Sequence, residues 1–372
     1  MSKRPVALLI LLVLLGALLS GCMTKPRSET IIIPDFEENI ASDPKNEAIA
    51  VKTIYRLPVH EADKGNWLGW MGIDAVLGVY GGAGDRSKGF EKVDYPYNER
   101  TKLWDFDKTA AIDSLSPDGS YASFVQEGDE AASLSLVSIS DRKQIMIEQL
   151  APHLHLNSST TWSSNSRYLS YVTQHTQDAK VTINVYDAIE KSLKQYAIPN
   201  WQRTDYISYV KIADDGLGAL VVKTNEMQSD VLFGSLKDSE FATHYIHAIS
   251  YDGAVDWLTN DQIAFVAPDG SLFAYDRRNG AASTLLKQVG SFQVSQDRRY
   301  IAYSKGDMIY AGKLQGNNIL YVKSIYQGLV PAQMAWSPDS SKLLIDGWKP
   351  YAQQSRPAVR PANNQPFVIT FK

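Results

Sequence analysis

Cysteine is nearly missing from this chain: Cys22 stands alone among 372 residues. That rules out a disulfide framework and any site built on several thiolates. Histidine is scarce too, six in all, with two close pairs, His153-x-His155 and His244-x-x-His247. Residues two apart on a strand share a face, so His153 and His155 are a candidate metal pair. However, no Cys or carboxylate stands near them at a ligand spacing. Isolated polar histidines are the expected reading. No Gly-x-Ser-x-Gly elbow occurs, which removes the usual signature of a serine hydrolase. Neither sign of charge dominates: the net charge is -4, with no basic block, so nucleic acid is not an expected partner. The apolar run 6–19 has 14 residues, short of the about 20 that a transmembrane helix needs.

That run nevertheless has a clear use. Lys3 and Arg4 precede it, and Leu19-Ser20-Gly21-Cys22 ends it. A short positive segment, an apolar stretch and small residues at a cut site describe a signal peptide. The ending resembles a bacterial lipobox. The resemblance implies cleavage before Cys22, a diacylglyceryl group on its thiol, and a chain held on the extracytoplasmic face of the cell membrane. Residues 1–21 are therefore expected as signal peptide, 22–47 as a flexible tether and 48–372 as the folded domain. Within the tether, Ile31 to Ile33 could dock as a short strand.

The folded part is organised by a repeat. Leu115-Ser116-Pro117-Asp118-Gly119 closes one strand, makes a tight turn and opens an alternating strand, Tyr121 to Val125. Pro presets φ, Asp bonds its own backbone and Gly accepts positive φ. Trp336-Ser337-Pro338-Asp339 and Trp162-Ser163-Ser164-Asn165 repeat the plan, as does Val294-Ser295-Gln296-Asp297. Looser copies surround Asp74, Asp215 and Asp261. The seven turn residues (Asp74, Asp118, Asn165, Asp215, Asp261, Asp297, Asp339) lie 44, 47, 50, 46, 36 and 42 residues apart. A period in the forties with four short strands per unit predicts an all-β fold, a β-propeller of four-stranded antiparallel blades. An ordinary β-sandwich would not give seven registered copies. Residues 48–57 read as a strand without a unit, and the seventh unit is one strand short. The expectation is that 48–57 fills that place and closes the ring.

These copies resemble the Trp-Ser-Pro-Asp-Gly repeat of TolB-type propellers over residues 66–346. That family usually has six blades, where seven units are counted here. The lipobox, acidic tether and Trp-containing turns together resemble Gram-positive propeller lipoproteins of the YqgU type. This resemblance carries over no catalytic residue.

The candidate sites are few. The loop 81–89, Gly-rich, lacks the Gly-Lys-Ser/Thr of a phosphate loop and reads as a hairpin connection. Asp105 and Asp107 lack the further acidic ligands of a calcium loop. One rim stands out, where the links between units and the loops between second and third strands meet. It carries His153, His155, Trp201, Arg203, Tyr206, Trp348, Tyr351, Arg356 and Arg360, and Trp, Tyr and Arg are the residues of binding hot spots. The alternative is that Trp201 and Trp348 pack beneath their own loops. The expected function is a non-catalytic module whose rim binds a protein or an envelope polymer, with no cofactor. Two alternatives stand beside it: a small-ligand sensor using the central channel, and a metal-dependent hydrolase or lyase.

Overall fold

The structure is a computed structural model. It describes residues 30–31, 49–58, 66–80, 87–107, 110–126, 128, 131–178, 180–202, 204–225, 228–251, 253–349 and 366–372. Among them every regular element is a β-strand. The signal peptide, Cys22 and most of the tether lie outside the described residues.

The repeat sets the local structure. The fifth unit runs Val255–Thr259, Gln262–Val266, Leu272–Asp276 and Ala281–Leu286, an antiparallel meander. The other units follow the same order. In the third, the first position is split into Leu154–Leu156 and Thr161–Trp162, both paired to Tyr168–His175. The strands assemble into four four-stranded sheets, one of five strands and one of nine. Seven separate blades were expected from the repeat, and hydrogen bonding instead gives five small sheets and one large one. A single parallel pair, Ala197 with Glu240, merges the third and fourth units into the nine-stranded sheet.

The five-stranded sheet contains both ends of the described chain. Val51–Arg56 pairs antiparallel with Phe367–Phe371, which pairs with Lys342–Trp348 and through it with Val330–Trp336. Thr30–Ile31 adds a short fifth strand on Val51–Arg56.

Four of the seven turns are held by one serine and one acid or amide. Ser116, Ser163, Ser295 and Ser337 each donate at 2.6 Å to the side chain two residues on. Each also accepts a backbone N–H five residues on, at 2.9 Å. One buried hydroxyl thus satisfies groups on both limbs of the turn. The last turn residue needs positive φ. Gly119 supplies it in the second unit, where a side chain would collide with the Trp70 backbone. Ser166, Arg298 and Ser340 adopt it without being glycine.

The sheets pack face to face around an axis. First strands of neighbouring units touch, and Val330–Trp336 reaches Asn66–Met71. Tryptophan bonds reinforce these contacts. Trp257 Nε1 donates to Lys211 O (3.2 Å), Trp336 Nε1 to Gln293 O (3.1 Å) and Trp70 Nε1 to Ala335 O (2.8 Å). The acceptor is each time the residue just before the Trp-equivalent position of the neighbouring unit. Buried faces fill the space between sheets; Ile309, Ile345, Phe367 and Ile54 share one such layer.

Candidate functional site

Each first strand runs from the link with the preceding unit towards its repeat turn. The axis therefore has a link side and a turn side. At the turn side the strand ends enclose a cavity of about 300 Å³. Six units contribute, through Trp70, Leu115, Ser164, Lys211, Gln293 and Gln333 among others. The walls are strand ends and tight turns, so the geometry is held by the sheets themselves.

A polar ladder runs along consecutive first strands, and two of its members, Lys211 and Gln293, line the cavity. Lys211 Nζ lies 2.6 Å from Asp256 Oδ1, both side chains being largely buried. Asp256 also accepts from the Trp257 N–H at 2.8 Å and, weakly, from Gln293 Nε2 at 3.4 Å. Burial opposes the charge on Lys211, but the Asp256 carboxylate outweighs it and raises the ammonium pKa above the ordinary lysine value. Burial also pushes the neighbouring Tyr209 phenol up to about 12. Two further amides frame the cavity. Gln333 Nε2 donates to Leu68 O at 3.3 Å, and Gln296 Nε2 donates to Pro117 O at 2.7 Å. The second bond links the sixth unit to the second.

The turn side is laced beyond the cavity as well. Arg298 pairs with Asp214 and donates to Asn260 Oδ1 at 3.3 Å, so the sixth unit reaches the fifth and fourth. Asp214 in turn accepts from the Asn165 N–H at 2.9 Å. Lys342 pairs with Asp74 at 3.0 Å, joining the last unit to the first.

The described residues of the rim read from the sequence lie at the opposite, link side. Tyr206 is exposed there, at 42%. Trp201 packs half-buried against the core of the nine-stranded sheet, and Trp348 is half-buried at the end of its strand. Arg203, Tyr351, Arg356 and Arg360 lie outside the described residues.

Isolated polar histidines are the expected reading, yet one ring meets a third histidine. His153 precedes the strand Leu154–Leu156, and its ring faces His175 at 4.4 Å between centroids. His244 bonds Ser235 at 2.8 Å, while the His247 ring lies tilted against Phe265, 4.8 Å between centroids. Asp105 pairs with Lys102 at 2.8 Å. Among the described residues no three His, Cys, Asp or Glu side chains converge as a metal site. The 81–89 loop connects the antiparallel strands Ala75–Tyr80 and Ser87–Asp94, with Lys88 and Gly89 already in the second.

No protein-family model matches the chain, and no curated protein sequence does. Solved structures do. An oligogalacturonate lyase in complex with manganese is similar at a TM-score of 0.60 and 9% identity, covering 93% of this chain and 98% of that one. The β-propeller domain of the Trilobed protease from Pyrococcus furiosus is similar at 0.51 and 13% identity, covering 75% and 89%. The WD40 repeats of RRP9 are similar at 0.54 and 12% identity, covering 88% and 99%. This chain is a β-propeller. Enzymes and repeat modules both occur among these neighbours, and at such identities the likeness shows the fold alone.

Three residues of the propeller's polar ladder, Lys211, Asp256 and Gln293, escaped the sequence reading. A signal for them existed: each stands immediately before the Trp-equivalent position of its repeat, at 212, 257 and 294.

Proposed function

We propose that this propeller is a lipid-anchored, extracytoplasmic binding protein that holds a small ligand, without turnover, at the turn-side mouth of its channel. One observation carries the reading: the cavity of about 300 Å³ is framed by six units at once. That volume sits at the lower end of the roughly 300–1,000 Å³ of small-molecule sites. Binding without turnover is supported by its lining. Among the described residues that line it, Lys211 is the only charged side chain, and Asp256 already holds it. No acid and base therefore face each other across the space.

The anchor rests on Lys3, Arg4, the run 6–19 and the Leu19-Ser20-Gly21-Cys22 ending. Labelling with a palmitate analogue, lost in Cys22→Ala, tests it. We read the nine-stranded sheet as two blades in edge contact, giving seven, because one parallel pair alone joins them. Val51–Arg56 then supplies the outer strand that closes the ring.

Native mass spectrometry of protein purified from host membranes tests the binding site. A small bound mass is expected in the wild type and lost in Gln333→Leu. The same bound mass in both would move the site elsewhere. A second reading has its own observation: Tyr206 is exposed on the link side, where it would meet a protein or envelope polymer. Cross-linking pull-down with a Trp348→Ala/Tyr351→Ala/Arg356→Ala variant separates the two readings.

A further inference from the structure

The charge pattern of the turn-side cavity narrows what it can hold. Among the described residues lining it there is one cation, Lys211, and no carboxylate. Asp256 is not part of the wall. It sits on the intervening first strand, between Lys211 and Gln293, is fixed by the Trp257 N–H at 2.8 Å and holds the ammonium at 2.6 Å. An ammonium carries three donors, and Asp256 takes one of them. A cationic guest would meet Lys211 with no opposing acid. An anionic guest would meet a charge-assisted donor, the stronger kind of hydrogen bond. The amide groups of Gln293 and Gln333 stand on adjoining walls. The rest of the lining mixes polar Ser116, Ser164 and Gln296 with an apolar part that includes Leu68, Leu115 and Met334.

We propose that the turn-side mouth binds a small organic acid with one carboxylate and an apolar body, the carboxylate on Lys211 and the body against Leu68, Leu115 and Met334. This rests on the channel-binding reading above. The carboxylate loses water on entry and regains a partner in the ammonium. Asp256 acts as a positioning residue, touching Lys211 and not the guest. The Gln296 side chain, bonded to Pro117 O across the mouth, stands where such a guest would enter.

The test uses full-length protein in detergent, with hexanoate, hexanamide and hexylammonium as probes at constant ionic strength. Hexanoate is expected to raise the melting temperature in a concentration-dependent way, and the other two are not. Titration calorimetry then compares variants. Lys211→Met alone leaves Asp256 buried without its partner, so the informative variant is Lys211→Met/Asp256→Asn. It should bind hexanoate about tenfold to a hundredfold more weakly, the range of a hydrogen bond to a charged group. Asp256→Asn alone, which keeps the ammonium but loosens its placement, should bind more weakly than wild type and less weakly than the double variant, while Lys323→Met on an exposed outer strand should bind as wild type does. A hexanoate affinity unchanged in the double variant overturns the proposal. So does stabilisation by hexanamide or hexylammonium that Gln333→Leu abolishes, though that result leaves the channel reading standing. No shift with any of the three probes also overturns it, and the native mass measurement then decides whether the channel binds at all.

Discussion

Replacing Ile54 with alanine tests whether the N-terminal strand belongs to the fold. Ile54 lies mid-strand in Val51–Arg56, is 2% exposed, and pairs with Ile369. Its neighbours in the buried layer come from two sheets, with Ile345 and Phe367 on one and Ile309 on the other. Truncation removes apolar contacts and leaves a hole that rigid strands on both sides fill poorly. The expected loss is about 2–5 kcal/mol, the range for large-to-small changes in a packed core. Lys52, on the same strand, is exposed, and Lys52→Ala should stay within about 0.5 kcal/mol. Urea unfolding followed by tryptophan fluorescence reads both variants, since the chain has 8 Trp. If the Ile54→Ala midpoint coincides with that of Lys52→Ala, the strand is not a structural part of the last sheet. The ring-closure argument would then fail.

Other substitutions test the turn and the ladder. Ser337→Ala removes the acceptor of the Lys342 N–H and should cost about 1–3 kcal/mol by urea unfolding. Lys211→Met should cost about 3–5 kcal/mol by stranding Asp256, and adding Asp256→Asn should recover most of it. Asp276 gives a pH test. The Arg278 guanidinium bond, helped by the Arg278 N–H and Gln262, holds its carboxyl down from 3.8 to about 2 against burial. A depressed carboxyl stabilises the fold above its unfolded pKa and loses that contribution as pH falls through the folded one. The stability gap between wild type and Asp276→Asn should therefore be full at neutral pH and close between pH 3.8 and about 2.

The fold was legible because one buried serine and one short acid or amide fix four of the seven turns, and both are written in the sequence. Ser116 with Asp118 and Ser337 with Asp339 stand out at once, and their spacing gives the period. What misled was a contact between units: the Ala197–Glu240 pair leaves no trace in period or alternation, yet it fuses two sheets. Which side binds is less legible, for another reason. Loop composition drew attention to Trp201 and Trp348, and Trp201 turned out to pack on the core. Lys211, Asp256 and Gln293 are unremarkable in local sequence, and only their shared register brings them together. Reading down that register, at the residue before each Trp-equivalent position, would have found them.

The binding side is best tested by a photo-crosslinking amino acid installed in turn at Gln333 and at Tyr206 in the living host. Gln333 borders the turn-side cavity, and Tyr206 lies on the link side. Irradiation followed by intact-mass analysis should show a small-molecule adduct at position 333 and none at 206. A macromolecular adduct at 206 with nothing at 333 would contradict the account and place the binding surface on the opposite rim.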